Sequence, residues 1–467
     1  MSDKLSFEKI SIRPTEECVR RLGLETDYKI ESDFETINGI DCTLTFNKSE
    51  FRLGAKDLNR NLKNEPYIYQ RVCYGFCERF SIFGDNTGYL IERGMKTFKM
   101  NHSEEYAYSG TISELKPLAF DNEAKYFFRC IFGFPSTLEA NLISYFITSP
   151  FETESVRYAG GLLKILVKGV RLHIYLSKIN DDNFLIFDTF DKCYYEKFEK
   201  IVEAISLNYQ LLSGVKVREK RLIFRSENAE FESPVLHSFK KLKTDVNGFP
   251  SLLMPRDLLS FYPSLEKKER YLNGEIFAKL VEQSLDDIRI LRVISMIVNS
   301  FELPLEIKAS TYCVGLETFK DVILSENSNK INPIKDKGVS KEIRERFKTI
   351  IDEYSENAFN NRQAVISKIN NLNQTTNSDG FIKMFEVIGI QLTEADKDAI
   401  SKRNDFLHGR VPLESVDGDD KMLHYIVYSL HFLLIALILK KAGFSGYLLE
   451  LINFEQVKKG ESPFRLI

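Results

Sequence analysis

The sequence predicts an α+β protein, a β-rich N-terminal domain followed by an all-α C-terminal helical bundle. A chain of 467 residues is too long for one ordinary core, so at least two domains are expected. The first half carries Phe, Tyr, Ile and Val in short runs between turn residues, a strand signature. From Lys267 onward the apolar period changes to that of amphipathic helices. The expected division is 1–250 for the β-rich domain, 251–300 for a helical connector and 301–467 for the helical domain.

In chain order, Ile40 to Phe46, Ile68 to Phe76 and Tyr89 to Glu92 read as strands, with Asp85-Asn86-Thr87-Gly88 as a turn. Lys168-Gly169 divides LLKILV from VRLHIYL and predicts a hairpin. Tyr194 to Leu212 has Phe198, Ile201, Val202, Ile205 and Leu212 at helical spacing before Gly214, which predicts one helix packed on the sheets. Lys267 to Ser300 predicts a long helix interrupted near Asn273-Gly274 and ended before Pro304. Helices follow at Leu305 to Leu324 and at Ser340 to Tyr354, whose stripe of Ile343, Phe347, Ile350, Ile351 and Tyr354 calls for a partner. Ser325 to Gly338 reads as the loop between them. Further helices are expected at Asn361 to Asn371, Asp379 to Ile388 and Thr393 to Leu407, with the apolar Met422 to Lys440 after a polar loop.

Composition excludes several classes. Hydrophobic residues make up 43% and charged residues 28%, the balance of a folded globular protein. A net charge of -3 gives no basic field for coating nucleic acid, so any such contact has to be local. Seven scattered cysteines and an opening MSDKLSFEKI without an apolar signal core lead to the expectation of a reducing cytoplasm. Tyr425 to Leu439 is strongly apolar but shorter than the roughly 20 residues a bilayer span needs. A buried core helix is expected there, with no membrane association.

The chemistry concentrates in Arg403-Asn404-Asp405-Phe406-Leu407-His408-Gly409. Thr393 is a suitable N-cap with Glu394, Asp396 and Asp398 in the first turns, and Gly409 and Pro412 mark the end. On one continuous helix Arg403, Asn404 and His408 share the inward half with Ile400 and Leu407, while Lys402 and Asp405 face away. Arg403 and His408 lie about 140° apart on such a helix. They converge on one phosphate only if the helix frays at His408, which Gly409 permits. The competing structural reading pairs Arg403 with a neighbouring acid and sets His408 against the helix C-terminus.

Arg403-Asn404-x-x-x-His408-Gly409 at a helix end in a C-terminal bundle resembles the R-x4-6-H motif of HEPN ribonucleases, including the Asn that follows Arg. With its β-rich front half, the chain resembles the ApeA-like group of HEPN proteins of abortive anti-phage defence. The resemblance implies a HEPN-like bundle that cuts RNA without metal or other cofactor, the RNA's own 2'-hydroxyl attacking the adjacent phosphate to leave a 2',3'-cyclic phosphate. His408 would move the proton and Arg403 would hold the phosphorane. Asn404 would orient either one, and Glu317, which interrupts the apolar run Val314-Gly315-Leu316, would complete the site from an earlier helix. The resemblance further implies a homodimer with RNA as substrate, tRNA being one candidate, and an N-terminal sensor or regulatory domain for a phage-derived trigger. The alternative is a non-catalytic HEPN-type dimerisation or RNA-binding scaffold.

Other signals point to packing or solvated surface. Cys73-x3-Cys77 has no second Cys or His pair at metal spacing, so buried thiols are expected. His424 and His431, seven apart on one helix, are expected to pack in the core or an interface. Lys240 to Lys243 and Lys267-Lys268 are short basic clusters for which solvated faces are expected.

Overall fold

A computed structural model describes residues 6–467 except 35, 48–49, 57–65, 85–87, 101–107, 119–122, 135–141, 180–181, 244–250, 254–270, 328–331, 374–376, 411–419 and 451–462. The chain divides into two compact units, Met1–Asp286 and Asp287–Ile467. The first is built on β-sheet and the second on helices.

The first unit opens with a short strand, Glu8–Lys9 (β1), and helix Arg13–Leu22 (α1). Strands Thr26–Glu31 (β2), Asp41–Asn47 (β3) and Glu50–Ala55 (β4) follow, then helix Pro66–Cys77 (α2). Next come Phe80–Phe83 (β5), Gly88–Ile91 (β6), Met95–Met100 (β7), Tyr108–Ile112 (β8), Glu114–Pro117 (β9) and Phe127–Gly133 (β10). After the short helix Leu142–Tyr145 (α3) the chain forms Ser149–Glu152 (β11), Arg157–Val167 (β12), Val170–Ile179 (β13) and Asp182–Thr189 (β14). Helix Tyr195–Ser213 (α4), strands Arg218–Ser226 (β15) and Val235–Lys241 (β16), and helix Gly274–Asp286 (α5) complete it. The strands join in the order β1-β11-β12-β13-β14-β10-β15-β16-β9-β6-β5-β2-β3-β4-β8-β7.

The β12–β13 hairpin turns at Lys168 and Gly169, both at positive φ (49° and 75°), the geometry whose twist suits a two-residue hairpin. Helix α4 buries Phe198, Ile201, Val202, Ile205 and Leu212, and Phe198 stacks on Phe128 of β10 at 4.9 Å. A buried ion pair ties α1 to the sheet. Arg129 of β10, 2% exposed, forms a fork with Asp188 of β14 at 2.7 and 2.8 Å, and Asp188 also accepts from Tyr175 at 2.7 Å. The Arg129 Nη1 then donates to the Ser11 carbonyl and the Thr15 hydroxyl at 2.8 and 2.6 Å. Every strong charge here has a partner, as a dry site requires.

Two expectations for this unit are corrected. Ile68 to Phe76, expected as a strand, lies inside α2, which begins at Pro66 and turns Val72 and Phe76, four apart, into the core. Cys77, expected to be buried, is exposed at the end of that helix. Helix α5 packs on β12 and α4 within the first unit, and the next helix belongs to the second unit. Asp287 makes that break by accepting from the Arg289 backbone N–H at 2.9 Å as an N-cap.

The second unit contains Ile288–Ser300 (α6), Leu305–Glu326 (α7), Lys337–Asp352 (α8), Arg362–Asn370 (α9) and Asn377–Val387 (α10). Glu394–Ser401 (α11), Arg403–Leu407 (α12) and Asp420–Lys441 (α13) follow, then a small hairpin of Tyr447–Leu449 (β17) and Phe464–Leu466 (β18). Helix α7 is the centre, packed by α6, α10, α12 and α13. Its Gly315 lets α13 come close: an added Cβ would lie 2.6 Å from Leu434 Cδ2. Met422–Lys441 is long and apolar enough to cross a membrane, and 78% of that window is buried inside the protein. The stripe on α8 is less covered than expected, since Phe347, Ile350 and Tyr354 remain exposed.

Within α13, His431 is buried beside Tyr312 with ring centroids 5.2 Å apart, whereas His424 is exposed. Burial holds the His431 imidazole down to about 3, against an ordinary 6.5. A histidine held low stays neutral in the fold and takes up a proton on unfolding. Its stabilisation is therefore complete above about pH 6.5 and lost as pH falls toward the folded value. At about pH 5 the loss is roughly 2 kcal/mol, taking 1.4 kcal/mol per unit. Urea unfolding of His431→Leu is expected to lose that much less stability than wild type between about pH 7 and 5; identical pH slopes would refute it.

Candidate active site

The site is built around one helix junction. Thr393 caps α11 through a capping box, its hydroxyl accepting from Asp396 N at 3.2 Å while Asp396 Oδ2 accepts from Thr393 N at 2.7 Å. The helix expected to run from Thr393 to Leu407 is interrupted at Lys402, and local side chains supply the reason. Ser401 Oγ donates to the Asp398 carbonyl at 2.6 Å and Arg403 Nη1 donates to the Ile400 carbonyl at 3.2 Å. The Asp398 carbonyl still accepts the helical bond from Lys402 N–H at 3.3 Å, while the Ile400 carbonyl, which a continuing helix would offer to Asn404 N–H, engages the Arg403 guanidinium. The interruption shifts the phase of α12.

That shift corrects the expected inward half. Arg403 turns inside and is 5% exposed, but Asn404 and His408 are both exposed, and Lys402 and Asp405 are half-buried rather than facing away. The end of α12 is also tighter than a frayed one. Gly409 is left-handed (φ 69°), Gly409 N–H donates to the Phe406 carbonyl at 3.1 Å, and Arg410 N–H donates to the Asp405 carbonyl at 2.7 Å. This pair of bonds is a Schellman turn. It fixes His408 as the C-cap residue at the exposed end of the helix.

Inside, the Arg403 guanidinium lies over the ring of the fully buried Phe381, 3.9 Å from its centroid. Its Nε is 3.6 Å from Glu317 Oε1, so the acid from α7 and the arginine from α12 meet across 86 positions of sequence. Lys320, one turn beyond Glu317, donates to Glu317 Oε2 at 2.6 Å and stands 4.5 Å from the centre of the same ring. The Ser310 hydroxyl donates to the Phe406 carbonyl at 3.2 Å and docks α12 on α7. Arg403 and Glu317 are thus brought together, while Asn404 and His408 sit on the exposed side of the short helix. Lys320 and Phe381 carried no signal of their own, because their contacts with the motif are long-range and no local spacing announces them.

Chemically, the arrangement offers a permanently charged guanidinium on an apolar floor beside a carboxylate, with an imidazole and an amide at the adjoining surface. Among the described residues no group of three His, Cys, Asp or Glu side chains could hold a metal ion. The side chain of Cys73 and the pair Lys267-Lys268 lie outside what is described. Lys241 of the basic cluster pairs with Glu50 at 2.5 Å. The first unit holds a separate cleft of about 690 Å³ lined by Glu8, Lys164, Arg171, His173, Phe190 and Glu282. There Glu8 pairs with Lys164 and lies 3.7 Å from His173 Nε2, and burial draws the imidazole down to about 4.

Residues 311–446 match the family model described as Apea-like HEPN. The match spans most of the helical unit, from α7 through α13, and includes Glu317, Lys320, Phe381 and the whole Arg403 to His408 run. No curated protein and no solved structure matches the chain.

The contrast in burial between the two motif residues has a measurable consequence. Arg403→Ala removes a packed stem and a charge that Glu317 and Phe381 face, and is expected to cost about 1–3 kcal/mol in urea unfolding. His408→Ala, at an exposed position, is expected to stay within about 0.5 kcal/mol of wild type. Equal effects of the two would contradict the burial of Arg403.

Proposed function

We propose that this chain, with an ApeA-like HEPN domain in its helical unit, is an endoribonuclease whose motif Arg403 to His408 is the catalytic element. The observation that carries the proposal is the Arg403–Glu317 contact beside an exposed His408, inside the matched region. HEPN domains are generally ribonucleases, and the residues suit that chemistry. The 2'-hydroxyl of the RNA loses its proton to His408 as its oxygen attacks the neighbouring phosphorus. The phosphorane charge is held by Arg403, and the bond to the 5'-oxygen of the next nucleotide then breaks. That oxygen takes up a proton, and the upstream fragment ends in a 2',3'-cyclic phosphate. Asn404, on the surface beside His408, orients the imidazole or the substrate, and Glu317 holds the guanidinium in place.

Two copies facing one another would let one histidine act as base and the other as acid, so a homodimer is part of the proposal. In the cytoplasm such an enzyme would cut RNA, with tRNA one candidate, and arrest growth when the first unit meets a phage-derived trigger. The burial of Arg403 favours a second reading in which the bundle is a dimerisation or RNA-binding scaffold and the arginine is structural. The exposure of Asn404 and His408 supports catalysis instead, since a purely structural motif has no need to present them.

Purified wild type, Arg403→Ala, His408→Ala and Asn404→Ala, incubated with total cellular RNA in EDTA, separate the readings. Wild type is expected to cut, with Arg403→Ala and His408→Ala slower by about 100-fold or more and Asn404→Ala by about tenfold. Equal cutting by all four would remove the motif assignment. Absence of cutting by any of them, also in extract of phage-infected cells, would favour the scaffold.

A further inference from the structure

Among the described residues the buried arginines are Arg129 and Arg403, and each faces a carboxylate in a different way. Arg129 and Asp188 close into a fork at 2.7 and 2.8 Å, the geometry a guanidinium and a carboxylate adopt when nothing competes. Arg403 and Glu317 do not close. The Arg403 Nε stops 3.6 Å from Glu317 Oε1, beyond hydrogen-bond length, and this buried N–H has no acceptor. The reason stands one turn along α7, where Lys320 holds the other oxygen of Glu317 at 2.6 Å. Both cations lie over the ring of Phe381, at 3.9 and 4.5 Å from its centroid. Nη1 of Arg403 is engaged with the Ile400 carbonyl, which fixes the guanidinium from the opposite end.

We propose that Lys320 is a positioning residue that keeps the Glu317–Arg403 fork open and so reserves Arg403 Nε–H for an RNA phosphate. A buried donor without an acceptor is unfavourable. It is relieved when an anionic oxygen arrives, and it is relieved equally if Glu317 swings across and closes the fork. Lys320 blocks the second outcome by its own bond to the carboxylate. The proposal rests on the reading of Arg403 as the group that binds the scissile phosphate.

The consequence is a dependence on the Glu317 charge that a merely structural lysine would not produce. In Lys320→Met the freed Glu317 closes on Arg403 and ties up the donor, so cleavage slows by about tenfold. On a Glu317→Gln background, whose own rate is the reference because Glu317 belongs to the site, Lys320→Met is expected to change cleavage by less than about threefold. Lys320→Arg, which still holds Glu317, is expected to retain activity. If Lys320 served only packing, Lys320→Met would slow cleavage by the same factor on the Glu317→Gln background as on wild type, and that result overturns the proposal. Correlation spectra of arginine Nε–H groups in the full chain read the same device without RNA, the Arg403 signal being identified by its loss in Arg403→Lys. Its exchange with water is expected to slow by about tenfold in Lys320→Met, and in Lys320→Gln as a second variant, as the fork closes. An Arg403 signal that is the same in wild type and both variants overturns the device whatever happens to RNA. A shifted signal in a protein that cuts no RNA would keep the open fork and remove the nuclease reading instead.

Discussion

The helical unit's site depends on where the charge of Arg403 goes. A guanidinium is charged at any pH the protein meets, and taking it out of water is costly unless the surroundings answer it. Here the answer is distributed: an aromatic face below, a carbonyl at one end, a carboxylate beyond hydrogen-bond length at another. The Ile400 carbonyl is an acceptor the helix itself would have used, so satisfying Arg403 goes together with interrupting the helix at Lys402. That interruption turns Asn404 and His408 outward, and the Schellman turn at Gly409 holds His408 at the exposed end. One buried charge thus accounts for the short helix, its phase and the division of the motif between interior and surface.

The first unit shows the other solution to the same problem. Arg129 has a closed fork with Asp188 and two further acceptors from the α1 region, and nothing about it is left for a ligand. Such a residue staples elements together. The Arg403 environment is comparably dry and its Nε–H lacks an acceptor, which fits an arginine that awaits an anionic partner.

Much of the architecture was legible because it is written in local chemistry. The Thr393 capping box, the Lys168-Gly169 turn, the 3.6-residue period of α4 and the apolar length of α13 are all decided within a few residues of chain. Glu317 could be picked out because a carboxylate interrupts an otherwise apolar helix. Ile68 to Phe76 was misread because an apolar run of that length fits either period, and Pro66, a good first helical residue, lies just outside it. The interruption at Lys402 goes with the Arg403 side chain engaging the Ile400 carbonyl, which a helical wheel drawn on ideal geometry does not represent. Lys320 and Phe381 were invisible for a different reason: their part depends on contacts with α12 across long stretches of sequence.

The central claim is that RNA is cut by its own 2'-hydroxyl at a phosphate held by Arg403 and served by His408. The most direct measurement uses an RNA oligonucleotide carrying a mapped cleavage site and a twin in which only the nucleotide 5' to that bond lacks its 2'-hydroxyl. The account predicts that the first is cut to a 2',3'-cyclic phosphate end and that the twin is left intact at that bond. Cleavage of the twin there at an undiminished rate would mean that water, not the RNA, is the nucleophile, and would contradict it.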